Sequence, residues 1–286
     1  MTTVPDSTSA MTQQSDDYLS LSFGNLANAS NDEKSENYRY AQREDMLHKT
    51  ISEMKTDSFC ALEFRVCSNK SKTRKLQPEE LGVRLSKNTG LSLATLKPQN
   101  LDYMAFWRGT FYNKNKLRPL QSFARYAINP VFGSTVVSER GVMLLFTQYE
   151  EKQSKKQFWV INTHMPIAQK EKMIVVKWFN DNAVKECQLA GDKNPLIILG
   201  GDMNTFFDDG GQDMMDLFSE QWIHLTGNLK KTFKSFPQDP VQTTSQLDHI
   251  FVNKQAVQRI KIIKPATATF TDASDHAFLT IFAQLV

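Results

Sequence analysis

The sequence predicts one continuous α/β domain behind a polar amino-terminal tail, and two observations carry that expectation. From residue 18 onward, segments with the two-residue period of strands alternate with segments of helical period, with no internal repeat or hinge-like linker between them. Apolar runs also stop repeatedly at Asp, Glu, Asn or His, as strands do when their ends line a cleft.

Composition excludes several classes. At 286 residues the chain can bury a sizeable core, and its 40% hydrophobic and 23% charged content is ordinary for a globular protein. No apolar run is long enough to cross a bilayer. Residues 1–17 are rich in Thr, Ser, Gln and Asp and lack the charged start and apolar stretch of a secretory signal, so they read as a disordered tail. Cys60, Cys67 and Cys187 form no Cys-x-x-Cys pair, so neither a zinc site nor a disulfide framework is expected. Reduced thiols point to an intracellular, cytoplasmic setting. A net charge of +3 is too mild to announce nucleic acid, but the basic residues cluster. One group is Lys70, Lys72, Arg74 and Lys75, another Lys152, Lys155 and Lys156, a third Lys230, Lys231 and Lys234.

In order, residues 19–23 alternate as Leu-Ser-Leu-Ser-Phe and predict a strand. Residues 40–55 carry Met46, Leu47, Thr50, Ile51 and Met54 at helical spacing. Residues 58–64 form a brief strand with Glu63 near its end, and 69–75 a basic loop. A helix over 78–87 has Pro78 in its first turn. Strands are expected at 91–95 and 103–107, a hairpin of 109–112 with 117–120 around 113–116, and further strands at 131–137 and 142–149. Phe158 to Ile161 make a buried strand that ends in Asn162-Thr163-His164. The helix 170–190 presents Val176, Phe179, Ala183, Cys187 and Ala190.

Residues 196–204, Leu-Ile-Ile-Leu-Gly-Gly-Asp-Met-Asn, suit a strand buried on both faces and stopped by two glycines. Asp202 and Asn204, two apart, then face one spot. Residues 206–211 read as a loop, followed by a short helix through Met214, Met215 and Phe218. Residues 229–246 read as a long loop, and 247–252 and 277–285 as strands, the last preceded by Ser274-Asp275-His276.

Strand ends therefore deliver Glu63, His164, Asp202 with Asn204, and Asp275 with His276, while Asp248 opens another strand. Carboxylates gathered in one cleft repel one another and call for a cation. An oxygen-rich set without cysteine favours Mg²⁺, with Mn²⁺ or Ca²⁺ as alternatives, over zinc.

As an ordered set these motifs resemble the endonuclease/exonuclease/phosphatase superfamily, with its deoxyribonuclease-I-like fold. Asp57 followed by Glu63 resembles the strand that carries the metal-binding glutamate. Asn162-Thr163-His164-Met165 is similar to Asn-Thr-His-Leu, and Gly201-Asp202-Met203-Asn204 to Gly-Asp-x-Asn. Leu247-Asp248-His249-Ile250-Phe251 is similar to Leu-Asp-Tyr-Ile-Phe, and Ser274-Asp275-His276 to the closing Ser-Asp-His. The match spans residues 19–286. It implies a domain over 18–286 built as a four-layer α/β sandwich, two face-to-face, mainly antiparallel β-sheets flanked by α-helices, with the site at one edge.

The resemblance also implies Mg²⁺-dependent attack of water on a phosphate ester. Glu63, Asp275 and Asn25 would hold the metal. Asp202 would orient or deprotonate the water, or hold a second metal, and Asn204 would bind the phosphate. His164 would donate to a phosphate oxygen or protonate the leaving group. His276, oriented by Asp248, would take a proton or stabilise developing charge. Two departures stand out. Ser22-Phe23-Gly24-Asn25 places Gly24 where the family has its first-strand Asn, so a bulge with positive φ at Gly24 is the expected way to return Asn25 to the site. Leu62 stands where Gln commonly precedes the Glu, which touches substrate positioning more than metal binding.

His164 resembles the branch that contains deoxyribonuclease I, deadenylases and neutral sphingomyelinases. The basic loops after Glu63 and before Asp248 would rim the site and suit a polyphosphate backbone. A monomeric nuclease on DNA or RNA is the expected function. A phosphatase or phosphodiesterase on an inositol phosphate or lipid head group is the alternative, and a phosphate-binding scaffold with weakened catalysis is the alternative of another class. His48, His224 and His249 read as packed histidines.

Overall fold

A computed structural model describes residues 18–29, 40–64, 67–68, 77–78, 80–94, 108–129, 141–205, 212–234 and 244–286. The tail, the basic segment 70–75, the expected strands 103–107 and 131–137, and the loop 206–211 lie outside them.

The chain opens with β1 (Leu19–Ala29), α1 (Tyr40–Glu53) and β2 (Ser58–Phe64). The short β3 (Cys67–Ser68) and β4 (Gln77–Pro78) precede α2 (Glu80–Thr89), β5 (Ser92–Leu93), β6 (Arg108–Tyr112) and β7 (Leu117–Ile128). Then come β8 (Val142–Glu151), β9 (Gln157–His164), α3 (Gln169–Leu189), β10 (Ile197–Asp202) and α4 (Gln212–Ser219). The last part holds β11 (Trp222–His224), β12 (Phe233–Lys234), β13 (Thr244–Ser245), β14 (Asp248–Asn253), β15 (Ile260–Thr269) and β16 (Phe278–Leu285).

Two six-stranded sheets result, ordered β15-β16-β1-β2-β6-β5 and β11-β14-β10-β9-β8-β7. Neighbours are antiparallel except β1 with β2 and β9 with β10, which are parallel. Strand alternation sorts the side chains into layers. Leu19, Leu21 and Phe23 of β1, with Leu279 and Ile281 of β16, pack between the sheets against Val160, Ile198, Ile250 and Val252. Phe59, Ala61, Phe64 and Phe111 face outward and receive Leu47 and Ile51 of α1 and Leu85 of α2. On the far side, Trp159, Ile161, Ile197 and Leu199 meet Val175, Val176, Phe179 and Ala183 of α3 and Phe218 of α4. Helix, sheet, sheet and helix stack as four layers.

Several local expectations change, and Pro78 lies in β4 ahead of α2, not in the first turn of that helix. β6 and β7 do not pair as a hairpin: β6 joins β2 and β5, β7 joins β8, and residues 113–116 carry the chain from one sheet to the other. Asn113 anchors that crossing, its N–H donating to the Asp57 carbonyl at 2.9 Å. The two glycines do not stop β10, which runs through both to Asp202. β15 had no sequence signal because it is an edge strand, where Lys261, Lys264 and Pro265 face solvent and break the apolar alternation. Among the described residues no helix is long and apolar enough to cross a membrane.

Candidate active site

Topology brings the strand ends together. In the second sheet the register sets Asp202 beside His164 of parallel β9 and opposite Asp248 of antiparallel β14, so three polar residues stand in one row. Across the gap, parallel β1 and β2 reach Asn25 and Glu63 at the same edge, and β16 is entered through Asp275 and His276.

Asn25 reaches the cleft without the expected bulge. It shares the inner face with Leu21 and Phe23 by plain alternation, and Gly24 faces outward. A Cβ on Gly24 would lie 2.4 Å from Phe278 Cδ1, so glycine is there to admit that ring, and its φ is not in the left-handed region. Glu63 needs the opposite device. Continued alternation from Phe59 and Ala61 would turn it outward, but its φ of 49° shifts the phase. Phe64 takes the outward place and the Glu63 carboxylate turns to the cleft.

Asp202 is the hub, only 2% exposed. Its Oδ1 accepts the Asn204 N–H at 2.8 Å. Its Oδ2 accepts from Asn25 Nδ2 at 3.1 Å, with His164 Nε2 at 3.5 Å and His276 Nε2 at 3.6 Å. Asn25 Nδ2 also donates to Glu63 Oε1 at 3.2 Å, and His164 Nε2 lies 3.7 Å from the same oxygen. The Asn25 Oδ1 accepts the Ala27 N–H at 2.9 Å. Its amide nitrogen faces the carboxylates, so Asn25, expected among the metal-holding residues, stands between Glu63 and Asp202 and donates to both.

His276 Nδ1 meets Asp248 Oδ2 at 2.9 Å. Burial works against a charge on His276, but Asp248 and Asp202 outweigh it and raise its pKa. Burial likewise raises Asp248, and His276 pulls it back. Part of the stretch read as a long loop braces this pair. Thr232 Oγ1 accepts the Leu247 and Asp248 N–H groups, each at 2.9 Å, and Lys234 N–H donates to the Asp275 carbonyl at 2.8 Å. The Phe233 ring stands edge-on to His276 at 5.1 Å. Ser274 Oγ donates to the Asn25 carbonyl at 2.7 Å, tying the Ser-Asp-His turn to β1.

Asp275 carries the cleft's clearest unmet valence. Its Oδ1 is buried with no hydrogen-bond partner among the described residues. Burial raises its pKa, His276 opposes that, and the charge of Glu63 adds to it. A desolvated carboxylate oxygen beside a second carboxylate is a donor set that fits a hard cation. Asp202, Asp248 and His276 also each offer an atom within 4.8 Å of the others, a group that could hold a metal. Asp248 and His276 are already bonded to one another, however, whereas the Asp275 oxygen is not engaged.

Asn204 sits at φ 49° and its Nδ2 donates to the Met165 carbonyl at 2.8 Å. Its own carbonyl accepts from Lys172 Nζ. Lys172 is buried, and burial lowers its pKa against the charge of Asp202. Its sequence signal was a lysine four residues before Val176 on the apolar stripe of α3. Of the basic clusters, Lys230 and Lys231 are exposed, and Lys234 Nζ is taken by Asp272 at 3.1 Å. Lys152, Lys155 and Lys156 lie at the β8–β9 turn, the far end of β9 from His164. His48 and His249 are packed, bonded to Asn88 and His224.

No protein-family model matches the sequence, and no curated protein matches it. Solved structures match over nearly the whole chain. An endonuclease/exonuclease/phosphatase family protein from Bacteroides thetaiotaomicron has a TM-score of 0.69 at 16% identity, covering 94% of this chain and 98% of that one. The mannosyl-6-phosphatase of the same organism has a TM-score of 0.65 at 18% identity, with 93% and 99% covered. D. rerio TDP2, solved with a single strand DNA product, has a TM-score of 0.63 at 14% identity, with 94% and 100% covered. The chain has the fold of the endonuclease/exonuclease/phosphatase proteins, a two-sheet α/β sandwich.

Proposed function

We propose that this protein is a metal-dependent phosphodiester hydrolase of the endonuclease/exonuclease/phosphatase kind, acting on DNA or RNA. One observation carries the reading: Glu63, Asp202 and Asp275, one oxygen of it unpaired, converge at a single edge with the Asp248–His276 pair. Glu63 and Asp275 would hold Mg²⁺ or Mn²⁺, with Asn25 orienting Glu63. Bound there, the ion supplies polarisation of a phosphoryl oxygen and neutralises charge on the leaving oxygen.

The remaining work falls to the chain. Water attacks phosphorus, and Asp202 takes its proton through Oδ2 while the new P–O bond forms and the bond to the leaving oxygen breaks. His276, between Asp248 and Asp202, donates from Nε2 to a phosphate oxygen and stabilises the charge that gathers there. His164 supplies a proton from Nε2 to the leaving oxygen. Asn204, its amide set by the Met165 carbonyl, offers its second N–H to the phosphate. Exposed Lys230 and Lys231, and the Phe233 ring beside His276, favour a polyanion with stackable bases.

A panel of DNA, RNA, phosphoinositide and simple phosphodiesters, incubated with Mg²⁺ or with chelator, tests this. Chelator-sensitive cleavage of DNA or RNA supports it. Cleavage of a phosphoinositide alone moves the substrate, and no metal-dependent hydrolysis of any member removes the enzyme and leaves a binding scaffold.

A further inference from the structure

One buried cation at this edge has no part in the chemistry above. Arg108 opens β6 opposite Leu62, the residue before Glu63, and is 9% exposed. Its Nη2 donates to the His164 carbonyl at 3.2 Å. Its Nε is buried with no hydrogen-bond partner, and no carboxylate pairs with it, among the described residues. Burial pulls its pKa down to about 10, while Tyr126 and Glu63 hold the proton on. A buried guanidinium with one hydrogen bond and no carboxylate bonded to it is unfavourable until an anion completes it. A merely structural arginine tying two sheets together would find that anion within the fold. Arg108 is bonded to the backbone of His164 and not to its ring. It therefore lies beside the point where Asp202, His164 and His276 converge, not within it.

We infer that Arg108 holds a second anionic group of the substrate, a phosphate adjacent to the one under attack, at the Glu63–His164 end of the cleft. The guanidinium presents a planar fork of N–H donors that matches phosphate oxygens. The inference rests on the proposed phosphodiesterase reading and sharpens its substrate class. The ester cleaved carries a further phosphate one linkage away, as in a polynucleotide or a polyphosphorylated inositol.

Calorimetric binding in chelator tests it, with thymidine dinucleotide with and without a 5′-phosphate, and inositol bisphosphate against monophosphate. The second phosphate should tighten wild-type binding about tenfold or more. Arg108→Gln should remove that gain and leave single-phosphate affinity unchanged, and Arg108→Lys should restore part of it. A gain confined to the nucleotide pair assigns a polynucleotide, and one confined to the inositol pair assigns the inositol. No gain in the wild type, or an equal loss for both members of a pair in Arg108→Gln, overturns the inference. Failure of the wild type to bind any phosphoester in chelator and to cleave any with Mg²⁺ defeats the hydrolase reading beneath it. Should Arg108→Gln not fold, a dinucleotide whose 5′-phosphate is capped as its neutral dimethyl ester decides: the gain should vanish, and undiminished affinity overturns the inference.

Discussion

Asp57 and Glu63 stand at opposite ends of one strand, and the fold treats them oppositely. Asp57 is 2% exposed and fully engaged. It accepts from Ser20 N–H at 3.0 Å, Ser20 Oγ at 3.2 Å and Asn113 Nδ2 at 3.2 Å, with Lys116 Nζ at 3.4 Å. Its lone pairs are spent on joining β1, β2 and the crossing into β7. Glu63 is held in left-handed backbone and faces Asn25, His164 and the charge of Asp275. A buried carboxylate that the fold satisfies is a structural tie. Carboxylates that repel one another around an unpaired oxygen are a donor set that fits a cation.

The largest effect should come from exchanging charge at the two ends. Glu63→Gln should lower metal-dependent hydrolysis on the order of 10³-fold, with thermal stability unchanged or raised because it relieves repulsion. Asp57→Asn should do the reverse, losing about 2–4 kcal/mol of stability with kcat of the folded protein unchanged. Steady-state rates and denaturant unfolding of both variants check the contrast. Loss of fold in the first, or loss of rate in the second, breaks it.

Next in size is the buried Asp248–His276 pair. Asp248→Asn and His276→Ala should each slow hydrolysis about 10²-fold or more. The double variant should be little slower than either single one, because the two act as a unit. Kinetics on the four proteins settle the point, and additive losses would separate them.

Gly24→Val should cost about 1–3 kcal/mol by overpacking against Phe278, not by backbone strain. Adding Phe278→Leu should recover part of the loss. Chemical denaturation of the single and double variants measures it, and no recovery would point back to the backbone.

The smallest effect is a pH dependence behind Asp248. Burial lowers His224 from 6.5 to about 4 and puts its partner His249 well below the ordinary range. Both stay neutral in the fold, while the unfolded chain takes up protons below about 6.5. Their contribution is fully present above 6.5 and drains as pH falls toward 4. Melting temperature against pH should therefore flatten on the acid side in His224→Asn, and an unchanged slope would show that the pair does not titrate.

Much of the molecule was legible because two periods repeat in the sequence. β2, β9 and β10 read correctly as short apolar runs and the stripe of α3 from helical spacing, since each is buried along its length. β15 and β11 did not, one an edge strand dressed in lysines, the other three residues long. The crossing at 113–116 reads locally as a hairpin turn, and only its bonds to Asp57 show that the chain changes sheets.

At the site, sequence by itself determined which groups stand at strand ends, because an apolar run that stops at Asp, Glu or His marks its own end. The tertiary structure alone decided which way those groups face. Glu63 turns inward only because one φ takes a value open to few residues, and no pattern of residue types announces that choice. Asn25 turns inward by ordinary alternation, since the phase of β1 is set by the packing of Phe23 and not by analogy with another strand. Thr232, Lys172 and Arg108 lie apart in sequence from the groups they serve, and only tertiary packing brings them there.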